Sequence, residues 1–421
     1  MINVIYKDVY FCGKKVIVIG GRFGGLTFAY NLKRTVGDKA DIELIEKNSG
    51  TYLRPLIPHI SIGSVEPEEI YLDLSNVLPR KGIRFTQGTV KEIEPQKNSI
   101  SVEMQDGSVV RKDYDYLLIA MGAHLGKERV AGSEQFGYSL CEVEDVLKLK
   151  EKLESFSGGN ITIGSGIFYQ GKMPKPSVPE NYLPRAESAC EGPIFEMSLM
   201  LAGYLKRRGL EKKTKITIYS PGEYLSDLSK ESRNTVKSLY DQLGYQLVEK
   251  FVLKEFSSDA VLSEDGRSLK SDLSIYKPPY EGHEIFRKMA GDLADDGGFI
   301  PTDMTMVSLK YDNVYCVGDA NSASVIKLGY SAVRMAEIAA QHLSNRLGVK
   351  THVDTFTPII YCIADNPYGG FGISVSDNTL YGGSVSKAVP SPLNHFKKEM
   401  FKKYFMWTGG DMVLEKYFSG W

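Results

Sequence analysis

Short runs of Val, Ile and Leu recur along this chain. Each is cut by glycine, and apolar residues at spacings of three and four then follow. That rhythm predicts parallel strands joined by helices, an α/β fold. The first unit is Lys15-Val-Ile-Val-Ile-Gly-Gly-Arg-Phe-Gly-Gly-Leu26, continued by Ala29, Tyr30 and Leu32 on one helical face. A second strand, Asp41 to Glu46, follows. Val90 to Ile93, Ile100 to Met104 and Val109 to Arg111 read as short strands, the last two turning at Asp106-Gly107. Tyr114 to His124 repeats the strand-to-glycine pattern. Asn160 to Tyr169 and Lys215 to Ser220 repeat the strand. Asn313 to Asn321 is an apolar strand ending in Gly-Asp, before an apolar-faced helix from Tyr330 to Leu347.

Strand, glycine turn and helix is the context of a dinucleotide fingerprint. Gly20 and Gly25 fill the outer positions, while Arg22 replaces the middle glycine. A guanidinium there supplies a charge-assisted contact to a pyrophosphate seated on the helix N-terminus. Glu46 closes the second strand, where a ribose-binding carboxylate is expected.

The chain has 421 residues, enough for two or three domains, and a net charge of −1 with no basic stretch that would read as a nucleic-acid surface. Its five cysteines include no C-x-x-C pair, so neither a disulfide framework nor a zinc ribbon is expected, and no metal ligand set stands out. No signal peptide and no apolar stretch long enough to span a bilayer is read, which places the protein in the cytoplasm, dissolved or lying on a membrane.

The first glycine motif, the Tyr-Asp-Tyr-Leu-Leu-Ile-Ala-Met-Gly strand and the Val-Gly-Asp strand together resemble the two-dinucleotide-binding-domain flavoproteins. The resemblance implies FAD and two Rossmann-like domains. An FAD domain (1–155 and 295–352) would be interrupted by a second dinucleotide domain (156–294), and 353–421 would carry a quinone site and an amphipathic membrane-binding helical segment. It assigns Gly20, Arg22, Phe23, Gly24, Gly25, Glu46, Lys47, Arg54, Ala120, Gly122, Gly318, Asp319, Lys327 and Gly329 to the cofactor, with Asp319 on the ribityl chain. The second domain reads as degenerate. Tyr169 stands where a third glycine belongs, a proline-rich excursion from Met173 to Pro193 delays the helix, and the next strand ends on Ser220 rather than an acid.

Longer blocks, among them Ser-Ala-Cys-Glu-Gly-Pro193, Pro-Gly-Glu-Tyr-Leu-Ser-Asp-Leu228 and Lys-Tyr-Phe-Met-Trp-Thr408, are similar to the archaeal type of sulfide:quinone oxidoreductase. That resemblance implies hydrogen sulfide and a membrane quinone as substrates, with polysulfide or elemental sulfur as product. Cys190 and Cys362 become the redox pair and Cys141 the third cysteine near the flavin. Some members link a cysteine at the third position to the flavin, so a covalent bond to Cys141 stays open, as does a homo-oligomer. Cys12 and Cys316 read as small buried hydrophobes. His59, His124 and Glu191 are candidates for proton handling, each with an equally simple structural role. Tyr368, Phe371 and Tyr381, in a glycine- and aromatic-rich stretch, are candidates to sandwich a quinone ring.

From Ser391 onward, Leu393, Phe396, Met400, Tyr404 and Trp407 fall on one stripe beside Lys397, Lys398, Lys402 and Lys403. After Gly409-Gly410, Asp411 is placed to cap a second helix with Val413, Tyr417 and Trp421 on its apolar side. Aromatics and lysines on one amphipathic helix predict a monotopic protein at the cytoplasmic membrane face, docked through 391–421. Two other readings remain open: a type II NADH:quinone oxidoreductase, and the flavin subunit of a flavocytochrome sulfide dehydrogenase.

Overall fold

The computed structural model describes residues 13–171, 187–323 and 325–412. Its central sheet has seven strands in the order Val314–Cys316, Tyr116–Ile119, Lys14–Ile19, Ala40–Glu46, Arg84–Glu94, Ser99–Met104, Val109–Asp113. The first five are parallel, and the last two return antiparallel as the expected hairpin. Val16 to Ile19 are buried on both faces, which is why the strand reads as an unbroken apolar run. Helices Phe23–Val36 and Gly329–Arg346 pack against each other beside the sheet. Lys14–Ile19 lies between Ala40–Glu46 and Tyr116–Ile119, so the chain runs away from it on one side and returns on the other, a topological switch point where the ligand crevice opens at the C-terminal ends.

A second parallel sheet has the order Gly137–Ser139, Leu273–Lys277, Gly159–Ser165, Thr214–Tyr219, Gln246–Val248. Its edge strand lies upstream of residue 156, where the inserted domain was expected to start. Gly-Tyr-Ser is too short to show alternation and is recruited only by pairing with Ser274 to Tyr276.

After Gly329–Arg346 the strands Ile360–Asn366, Phe371–Asp377 and Ser386–Ser391 form an antiparallel sheet, which carries the helix Pro392–Thr408. Ser391 caps that helix through its side chain, accepting from the Leu393 N–H at 3.2 Å, and Gly409 ends it at φ +71°. The expected stripe is partly wrong. Tyr404 is buried and donates to the Asp411 carbonyl at 2.9 Å. Lys398 and Lys402 also turn inward, to Glu196 and Glu69. The Asp411 carboxylate takes Arg34 at 2.8 Å, and the helix it was expected to cap lies outside the described residues. Leu393, Phe396, Met400 and Trp407 stay exposed, Trp407 at 84%. No described helix is long and apolar enough to cross a membrane. Cys12, most of the Met173–Pro193 excursion, and Val413, Tyr417 and Trp421 lie outside the described residues.

Candidate active site

One crevice runs from the C-terminal ends of the first sheet, past the second, to the C-terminal helix. Arg22, Phe23, Gly24, Arg54, Ala120, Gly122, Gly318, Asp319, Lys327 and Gly329 line it, together with Cys141, Cys190 and Cys362 and with Glu196, Lys397, Lys398 and Phe401. Gly20 and Gly25 do not line it, but they shape the turn. Gly20 sits at φ +106°, and a Cβ on Gly25 would come within 1.8 Å of the Gly20 carbonyl oxygen. The strand and helix therefore approach as closely as a fingerprint requires. Glu46 accepts from the Gly21 N–H at 2.8 Å, and Lys47 is exposed.

The residues fit FAD. Arg22 has its pKa pushed down to about 10, first by the like charge of Arg54 and then by burial. Two cations crowding one phosphate-sized turn are relieved by a polyanion between them. The helix Gly329–Arg346 opens at the crevice wall, its N-terminal end lining the crevice with Asp319 and Lys327. Lys327 is buried and anchored on the Asn321 carbonyl at 2.6 Å.

The corresponding turn of the second sheet is occupied by the chain itself. The backbone N–H of Phe168 donates to the Glu187 carbonyl at 2.9 Å and that of Tyr169 to the Tyr280 carbonyl at 2.8 Å. The Arg129 guanidinium covers the Tyr169 ring at 4.4 Å. A Cβ on Gly166 would meet Pro279 at 2.5 Å. The Phe168 and Tyr169 N–H groups at this turn are thus already satisfied within the chain.

Cys141, Cys190 and Cys362 are free thiols in one cavity. Cys190 precedes the helix Gly192–Arg207. Burial pushes its thiol up to about 12, and the Lys277 charge and the Gly192 N–H act against that. The Cys362 thiol is also raised by burial and by the nearness of Cys190. Cys316 is fully buried in the edge strand of the first sheet, as expected.

Of the proton candidates, Glu191 is buried, holds Ser165 Oγ at 2.9 Å and the Leu225 N–H at 2.6 Å, and is raised by burial to about 7. His59 is buried, with Nε2 on Glu196 at 3.1 Å and Nδ1 on Ser64 at 3.3 Å. His124 lies outside the cavity lining, 2.8 Å from Glu128 and 3.9 Å from Glu281. These three side chains are spaced as metal ligands are, but Arg129 and Arg287 pair with Glu281, so the group reads as an ion-pair network.

The aromatic assignments need correction. Tyr368 donates to the Ile62 carbonyl under Arg207, Tyr381 is buried with its hydroxyl on the Ile326 N–H at 3.4 Å, and Phe371 packs on the core. None lines the cavity; Tyr330, Tyr361 and Phe401 do. The glycines flanking these rings serve the turns of the three-stranded sheet.

The sequence reading missed Glu196 and Lys277. Glu196, on Gly192–Arg207, receives Lys398, His59 and the Asp365 N–H. Burial opposes its charge, but Lys398 and His59 outweigh it and hold its pKa below the usual value. Lys277 ends an apolar strand before Pro278-Pro279, at the end of a parallel strand where ligand-binding residues sit. That placement was a legible signal.

Fold and crevice define an FAD-dependent oxidoreductase with two Rossmann-type sheets, and residues 14–168 match the pyridine nucleotide-disulphide oxidoreductase family. Over 420 residues the chain is 26% identical to the sulfide-quinone reductase of Aquifex aeolicus, covering 94% of this chain and 90% of that protein. The sulfide:quinone oxidoreductase structure from the same bacterium superposes with a TM-score of 0.81 at 24% identity, over 94% of this chain and 92% of the other. NDH2 from Plasmodium falciparum, solved with NADH, gives 0.69 at 13% identity, over 94% and 96%.

Proposed function

We propose that this protein is a sulfide:quinone oxidoreductase, oxidising hydrogen sulfide to polysulfide or elemental sulfur at Cys190 and Cys362 and delivering two electrons to a membrane quinone. The observation that carries the reading is the shared cavity: three cysteines line it together with the cofactor-groove residues and with Lys398 and Phe401 of the helix that carries the exposed apolar face. Bound FAD supplies a two-electron relay there. Arg22 and Arg54 would hold its pyrophosphate, and Asp319 would accept from its ribityl hydroxyls. In the oxidised protein, with Cys190 and Cys362 joined as a disulfide, hydrosulfide attacks one of the two sulfurs. The S–S bond breaks, one cysteine keeps the added sulfur as a persulfide, and the other leaves as a thiolate. Cys141 guards the cofactor side of the chamber. In this reading the Lys398–Glu196 pair, which lines the same cavity, supplies protons to a quinone that takes up two electrons.

Nicotinamide is not the donor in this reading, because the second-sheet turn is filled by Tyr169, Arg129 and Pro279. Leu393, Phe396, Met400 and Trp407 rest in the lipid interface, where the quinone resides.

The test is anaerobic bleaching of the bound flavin. Sulfide alone should bleach it and a soluble quinone should restore it, with NADH inert. Bleaching by NADH instead would make the protein an NADH dehydrogenase like the NDH2 enzymes. Cys190→Ser or Cys362→Ser should abolish bleaching by sulfide with FAD still bound; near-normal turnover in either would sink the cysteine assignment.

A further inference from the structure

Lys277 is 3% exposed. Buried lysines are ordinarily paired with a carboxylate, because an unpaired ammonium is costly to desolvate. Among the described residues no carboxylate stands within ion-pair distance of this one. Its close neighbour is the Tyr280 ring, with Nζ 3.5 Å from the centroid. The Lys277 side chain lines the cavity together with Cys141, Cys190 and Arg54. Burial lowers its pKa, while Cys190, Cys141 and, through the field, Asp319 favour the charge and Arg54 opposes it. Seen from Cys190, Lys277 is the strongest charge favouring the thiolate. It is opposed by burial and by Asp227 and Asp319, with the Gly192 N–H as a further donor.

A tyrosine face satisfies a cation only in part. The remaining demand is left to the chamber, which Cys141 and Cys190 line with it. We infer that Lys277 is the anion-holding group of this chamber, binding a soft sulfur monoanion (hydrosulfide or a short polysulfide) and the Cys190 thiolate in turn. The inference rests on the sulfide reading above and adds to it a specific electrostatic site. It accounts for how a thiol in an apolar pocket becomes reactive, since reactive cysteines need a nearby cation. It also gives hydrosulfide a reason to enter a cavity walled mainly by apolar side chains.

The test uses the FAD-loaded full chain with Lys277→Met and Lys277→Arg. Two quantities are measured: the sulfide concentration that half-saturates anaerobic flavin reduction, and the pH midpoint of Cys190 alkylation by iodoacetamide, followed by mass spectrometry. The methionine variant should raise half-saturation by about tenfold, the loss expected for one charge-assisted contact, and move the alkylation midpoint up by about one unit. Arginine should restore both in part. On the parent protein, thiocyanate should protect Cys190 from alkylation where chloride does not, a measurement that needs no variant to fold. Unchanged half-saturation and an unchanged midpoint in a folded Lys277→Met protein would overturn the assignment. So would an altered flavin spectrum with both quantities unchanged, which would give the lysine to the cofactor. If sulfide fails to reduce even the parent protein, the functional reading falls, while the alkylation midpoint still decides whether Lys277 holds the thiolate.

Discussion

Single residues in this site are defined by what burial does to their charge. Glu191 is the sharpest case, because its carboxyl is raised by burial to about 7 while an unfolded glutamate titrates near the ordinary 4.3. A carboxyl raised on folding keeps its proton longer in the native state. Its contribution to stability is full below the unfolded pKa and is lost as pH rises through about 7. Glu191→Gln removes that titration. Thermal midpoints taken from pH 4.5 to 8 should therefore fall less steeply in the variant than in the parent; parallel curves would show that Glu191 is already ionised when folded. The Leu225 N–H at 2.6 Å limits the gain, since a glutamine amide offers it one acceptor fewer. Burial also explains which residues were legible from sequence. Cys190 and Cys362 stood out by their surrounding blocks, but Glu196 sits within an apolar helical run and reads as an ordinary polar position. Its role depends on Lys398 arriving from 202 positions away in the chain. Pairings of that kind leave no local trace.

At the scale of elements, the helix Pro392–Thr408 is bound to the rest by charges as well as by packing. Lys398 meets Glu196, Lys402 meets Glu69 at 3.0 Å, and just past the helix Arg34 takes Asp411 while Tyr30 donates to the Gly409 carbonyl at 2.7 Å. Lys398 is 6% exposed at its side chain and Glu196 is 9%. Removing one partner leaves the other charge buried, which costs about 3–5 kcal/mol. Lys398→Met should therefore lower the thermal midpoint clearly, and adding Glu196→Gln should recover much of that loss. If the double variant is no better than the single, the ion pair is not what secures the helix. The sequence marked this helix, its Ser391 start and its glycine stop, because caps and periodicity are local. Which lysines face inward was not legible, since Lys397, Lys398, Lys402 and Lys403 are equivalent until the neighbouring carboxylates are in place. The parallel sheets were read from their apolar runs, whereas the Gly137–Ser139 strand, with no pattern of its own, was not.

Across the whole molecule, one crevice is lined both by the three cysteines and by residues of the helix Pro392–Thr408, whose other side is apolar and exposed. Phe396 is 59% exposed and Trp407 is 84%, large apolar surfaces that the fold itself leaves uncovered. Lys403 is exposed on the same helix, able to reach anionic headgroups. Deleting the helix would be a poor test of membrane docking. Tyr404 and Phe405 are buried on its other side, so the core would open as well. Phe396→Ser combined with Trp407→Ser leaves that inner face intact. Each aromatic side chain contributes roughly 1.5–3 kcal/mol when removed from water, so losing both should weaken liposome binding by about a hundredfold or more. Sulfide-driven bleaching and turnover with a short-chain soluble quinone should stay near the parent level, because neither residue lines the crevice. Turnover with a long-chain quinone held in liposomes should fall along with binding. Undiminished co-sedimentation of the double variant would mean that this face covers something other than lipid, and the quinone would then have to reach the Lys398 end from solution.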